Sequence, residues 1–196
     1  MKTRRNKIVR QEGKFRVAWN YLKESRNYVY FSAGLFLVFA LFGFFYSSHL
    51  VFLDEVLKGL IEKTKDLQGT KLIWFIFQNN LSSAFFTLFL GLFLAIFPLF
   101  NVGVNGVLLG YVFAKVYSVS GFSDFWRVLP HGIFELPAIF IAIGLGFKLG
   151  GVLFSKNLKN DFKERVMKSF WVFLCVILPL LIVAAIIEGL LISYIN

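Results

Sequence analysis

Five apolar runs, each near the length of a bilayer crossing, leave this chain little choice of fold. They fall at about 28–48, 72–97, 102–119, 128–154 and 170–195. A helical crossing needs about 20 predominantly apolar residues, and tilt absorbs the difference. Segments this long and apolar must satisfy their backbone polar groups internally, so only helices fit. The expected fold is all-α, a polytopic membrane helix bundle with five transmembrane helices. Composition agrees: 58% of the 196 residues are apolar, 26 of them phenylalanine, and the mean hydropathy is +0.71. A soluble domain of this length has too little interior for that surface. We therefore read 1–196 as one integral membrane domain, with spans in a lipid bilayer.

Charge orients the bundle. Residues 1–27 carry nine Lys and Arg against Glu12 and Glu24. The connection between spans four and five adds Lys156, Lys159, Lys163, Arg165 and Lys168. With five spans both stretches fall on one side, and excess Lys and Arg marks the cytoplasm. The N-terminus is then cytoplasmic and the C-terminus outside. The first apolar run follows a basic stretch of 27 residues and is long enough to span, so it reads as an uncleaved anchor. The net charge of +10 flanks apolar runs, so it points to membrane and excludes nucleic acid. Cys175, the sole cysteine, lies in an apolar run and reads as a small hydrophobe, with no disulfide framework.

Two connections read as amphipathic helices. Phe15, Trp19 and Leu22 recur at helical spacing among basic residues, as on a helix lying against an anionic leaflet. Outside, Leu53, Val56, Leu57, Leu60 and Ile61 form a stripe opposite Glu55, Lys58, Glu62 and Lys63. Each serves as an interfacial anchor or, for the outer one, as a partner-docking surface.

Small residues mark helix contacts in membranes because they let backbones approach. Span two carries Asn80, Ala84, Thr87, Gly91 and Ala95, three or four apart. Span four carries Ala138, Ala142, Gly146 and Gly150, with His131 and Glu135 seven residues before the two alanines. Span five carries Ala184, Ala185 and Glu188. Gly106 and Gly110 mark span three. These GxxxG pairs support close packing and leave a homodimer open.

Charge at the bilayer centre costs about 2.5–3.5 kcal/mol on insertion scales, so intramembrane ionisable residues carry function or architecture. At 1.5 Å per residue, Asn80, Glu135 and Glu188 each lie roughly 9 to 13 Å from the outer end of their span, with Asn79 and His131 nearby. They are expected to converge in one polar cluster in the outer half of the membrane. Two carboxylates that close need a shared proton or a cation. Lys115 is either that cation or a lysine snorkelling to the headgroups. Lys148 reads as a snorkeller near the other face. Three readings of the cluster stand: a hydrogen-bonded knot that sets helix register, a proton or ion path, and a metal-dependent hydrolase. The last lacks three ligands and every familiar hydrolase motif, so no catalytic residue, metal or other cofactor is assigned.

The run Leu129-Pro130-His131-Gly132-Ile133-Phe134-Glu135-Leu136-Pro137-Ala138 resembles the signature of the stage II sporulation protein M family. Further likeness lies in Glu24-Ser25-Arg26, Asn79-Asn80, Asn105-Gly106, Gly146 with Gly150, and Ala184-Ala185 with Glu188. The resemblance implies a membrane scaffold. In endospore formers the namesake recruits two peptidoglycan-remodelling partners during engulfment, while other members occur in organisms without spores or that wall. It implies no catalytic set. The expectation is a non-enzymatic assembly protein of the cell membrane, working with other membrane or cell-envelope proteins, peptidoglycan-remodelling ones if the cell is bacterial. The alternative is a small proton-coupled transporter or channel using Glu135 and Glu188.

Overall fold

The computed structural model describes residues 13–93, 95–122 and 125–195; residues 1–12, 94, 123, 124 and 196, and the side chains of 126–131 and 189–195, lie outside the described residues. The elements are α1 (Lys14–Glu24), α2 (Arg26–Phe45), α3 (Leu53–Thr64), α4 (Thr70–Phe89), α5 (Ile96–Ser120), α6 (Phe125–Gly150), α7 (Leu158–Val172) and α8 (Leu178–Ile195). Among the described residues there is no strand. Five helical stretches are long and apolar enough to cross a membrane: Arg26–Phe45, Thr70–Leu92, Ile96–Ser120, Gly132–Phe154 and Leu158–Glu188. The protein is a multi-pass membrane protein.

The central helix is α6. It packs on α2 and α5 along one side and on α4 and α8 along the other. Its residues Ala138, Ile139, Ala142, Ile143, Leu145 and Leu149 are all buried. Glycine makes those approaches close. A methyl group on Gly144 would overlap the α2 backbone at Tyr28 and Val29, and one on Gly146 would strike Pro98 and the Thr87 carbonyl. Gly150 faces the Gly91 carbonyl and Ala95 in the same way. In the other half, Gly43 lies on Val107, Gly110 on Ala40, and Gly106 on Phe36 and Phe39. Lipid offers no hydrophobic drive between helices, so these backbone approaches and their dispersion contacts hold the bundle together.

Three boundaries differ from the sequence reading. Span two does not run to residue 97. Helix α4 ends at Phe89, tightens through Leu90–Leu92 and turns at Ala95, whose φ of 61° is left-handed. Span three then starts at Ile96, and Pro98 sits in its first turn. There its missing N–H is one that no helix pairs internally, so proline opens α5 and does not close α4. Span five begins earlier as well. The basic segment from Leu158 onward is helical and continues through a widened turn, Phe173–Ile177, into α8. Pro179 cannot donate to the carbonyl of Cys175, and the wider turn accommodates that missing bond.

Helix α1 buries Val17, Ala18 and Tyr21 and lies against α7, leaving Phe15 and Trp19 exposed. Helix α3 has no buried residue.

Candidate functional site

Glu135 of α6 stands where the two halves of the bundle meet. Asn80 of α4 and Glu188 of α8 both lie near enough to act on its carboxyl group. The helical period explains the meeting. Asn80 lies four residues before Ala84 and seven before Thr87, both buried, and Glu135 lies seven before buried Ala142. Ala184, four residues before Glu188, is buried too. Asn79 is turned about 100° from Asn80 around α4 and is exposed, so it stands apart from the carboxyl groups. The His131 side chain lies outside the described residues.

The polar layer extends further than sequence reasoning reached. Asn101 of α5 donates to Ser83 Oγ of α4 at 2.9 Å. Asn105 donates to the Asn101 carbonyl at 2.9 Å and to its Oδ1 at 3.2 Å. Ser83 is one turn on from Asn80, so α4 carries both branches. The signal available was the spacing of four between Asn101 and Asn105 in an apolar run. Beside Glu135, between α2, α3, α5 and α6, lies a cavity of about 280 Å³. Glu135 and Asn105 are its polar lining, and Phe36, Leu57, Val112 and Leu136 are among its apolar walls.

Lys115, a candidate counter-ion for the acids on sequence grounds, is engaged elsewhere. Its ammonium pairs with Asp54 of α3 at 3.0 Å. The buried Tyr111, one turn earlier on α5, donates its hydroxyl to the same carboxylate at 2.7 Å. The physical reason is reach: Asp54, in the first turn of α3, comes within hydrogen-bond distance of Tyr111 and Lys115. The Tyr111 hydrogen bond, and then Lys115, hold the Asp54 carboxyl below the usual carboxylate range. Leu57, one turn along α3, also lines the cavity. Among the described residues no three His, Cys, Asp or Glu side chains are grouped to hold a metal ion.

Comparison with known proteins places these features in a wider group. Residues 32–191 match the family described as stage II sporulation protein M. An uncharacterized protein of Methanocaldococcus jannaschii is 37% identical over 119 residues, covering 58% of this chain and 52% of its own length. The chain thus spans about half the length of that curated relative. No solved structure matches the chain.

Proposed function

Because the chain belongs to the stage II sporulation protein M family, we propose that it organises partner proteins at the cell membrane and itself performs no catalysis. The observation that carries this reading is the placement of α3. Its apolar residues Val56, Leu60 and Ile61 are exposed, yet Asp54 ties the helix to Tyr111 and Lys115. An amphipathic helix that only floated on lipid would need no such anchor. One held at a set position offers a constant face to another protein. The polar layer around Glu135 then acts beneath it as a register lock among α4, α5, α6 and α8. Each such bond contributes about 0.6–2 kcal/mol in a membrane. The partners are other envelope proteins, and in a walled bacterium the enzymes that remodel peptidoglycan.

The test is photo-crosslinking in native membranes. A photoreactive residue at Ile61 should give one discrete protein adduct, weakened in Asp54→Asn. The same group at lipid-facing Leu37 should give lipid adducts alone. Lipid adducts alone from both positions would remove the support for a docking role.

A second reading, a proton-coupled conduit through Glu135 and Glu188, is favoured by the cavity beside Glu135. It requires a pH-dependent flux in proteoliposomes that Glu135→Gln abolishes while the protein stays folded. A flat wild-type flux across several solutes would dispose of it.

A further inference from the structure

At the opposite end of α6 from the Glu135 layer, α6 and α7 bring cations together, two of them without an acid partner among the described residues. Lys148 lies in the last turn of α6 and is half-buried. Its ammonium donates to Ser25 Oγ at 2.8 Å and sits 3.8 Å from the centre of the Tyr21 ring. Ser25 is fully buried and gives its own proton to the Tyr21 carbonyl at 2.6 Å. Arg165 of α7 donates one N–H to the Lys148 carbonyl at 2.7 Å. Its other N–H groups have no partner among the described residues. Lys168, one turn on, reaches the same Tyr21 ring at 5.5 Å but is paired with Glu164 at 3.0 Å.

No carboxylate stands within ion-pair distance of Lys148 or Arg165 among the described residues. Glu24 acts on Lys148 only through its field, against the opposing fields of Arg165 and Lys168. The carbonyls ending α6 offset part of this charge. Half-buried cations with neutral partners still carry an unrepaid desolvation cost, and an anion held between them would repay it. Close by, the Tyr21 hydroxyl and Ser169 Oγ are both buried.

We propose that Lys148 and Arg165, framed by Ser25 and Tyr21, form a seat for a single phosphate group, that of an anionic phospholipid. Phosphate oxygens only accept hydrogen bonds, which suits an ammonium and an unfilled guanidinium fork. The residues around the site suit the membrane–water boundary, where lipid phosphates are found. Here α7 turns from its charged part to Phe170 and Trp171, and Lys14 sits 4.6 Å over the Trp171 ring, an aromatic pairing typical of the membrane–water boundary. Basic pockets between helices at such boundaries are suited to lipid headgroups.

The experiment uses the full chain in neutral detergent. Thermal unfolding is followed with added phosphatidylglycerol, phosphatidylcholine or inorganic phosphate, and native mass spectrometry counts retained lipid. Phosphatidylglycerol should raise the melting temperature saturably, with one molecule retained, and phosphatidylcholine should not. Arg165→Gln and Lys148→Gln should each weaken the phosphatidylglycerol response about tenfold, the loss of one charge-assisted hydrogen bond. Lys148→Arg should restore it, and Lys163→Gln, at an exposed lysine of α7, should leave it intact. The readout is the lipid-dependent shift, so a lower starting stability of a variant does not obscure it. Inorganic phosphate that reproduces the whole shift would assign the seat to free phosphate and overturn the lipid. Equal responses to both lipids, or equal losses in Lys163→Gln and Arg165→Gln, would show diffuse charge and overturn the site.

Discussion

Gly91 and Gly146 meet backbone to backbone: a methyl group on Gly91 would overlap the Gly146 carbonyl. This contact brings the turn after α4 against the C-terminal part of α6, and Gly150 repeats it one turn later against Gly91 and Ala95. It places the tail of α4 so that Asn80, higher on the same helix, arrives at Glu135.

Gly146→Leu should therefore separate α4 from α6. A side chain there strikes Pro98 and the Thr87 carbonyl, neither of which can give way as a flexible chain end would. The expected loss is about 1–3 kcal/mol or more, seen as a lower melting temperature in detergent. Wild-type stability in this variant would mean that the face is not a packing face.

Glu135→Leu should cost more than Glu135→Gln. Leucine offers the nearby Asn80 amide no acceptor, whereas glutamine keeps an oxygen for it. A double-mutant cycle with Asn80→Leu should return a coupling of about 0.6–1.7 kcal/mol, the range for hydrogen bonds between membrane helices. Additive losses would show that the two side chains do not interact.

The anchor of α3 should respond to acid. The folded Asp54 carboxyl titrates below its ordinary range, so its contribution is complete above the unfolded pKa of about 3.9. It is lost as pH falls further, through the folded value. Hydrogen exchange of α3 amides, corrected for intrinsic rate, should thus be constant from neutral pH to about pH 5 and accelerate below about pH 4. Asp54→Asn should show the fast exchange already at neutral pH. Acid-insensitive protection would show that the Tyr111 and Lys115 contacts do not hold the helix.

Much of this architecture was legible in the sequence because a membrane imposes strict lengths. Five runs near the crossing length could only be five helices, and the spacing of Ala84, Ala138, Ala142 and Gly146 located their shared faces. The same period put Asn80 and Glu135 on those faces. Other features depend on distance along the chain. Lys115 meets an acid 61 residues away, which no local pattern announces. Asn101 finds Ser83 only because the chain reverses between them at Ala95. Pro98 misled for a physical reason: proline ends one helix or begins the next with equal ease, and only the left-handed turn before it shows which. The charged start of α7 hid its continuity with α8, because hydropathy marks where a helix enters lipid and not where it begins.

The bundle turns on the meeting of α4 and α6 at Asn80 and Glu135. Cysteines at 80 and 135, in a Cys175→Ser background, can be joined by a short bis-methanethiosulfonate linker in native membranes. The pair should link almost completely within one chain, and a pair at 79 and 135 should link poorly, since Asn79 faces away. No link at 80 and 135, or equal linking from 79, would contradict the placement of Glu135 among the helices.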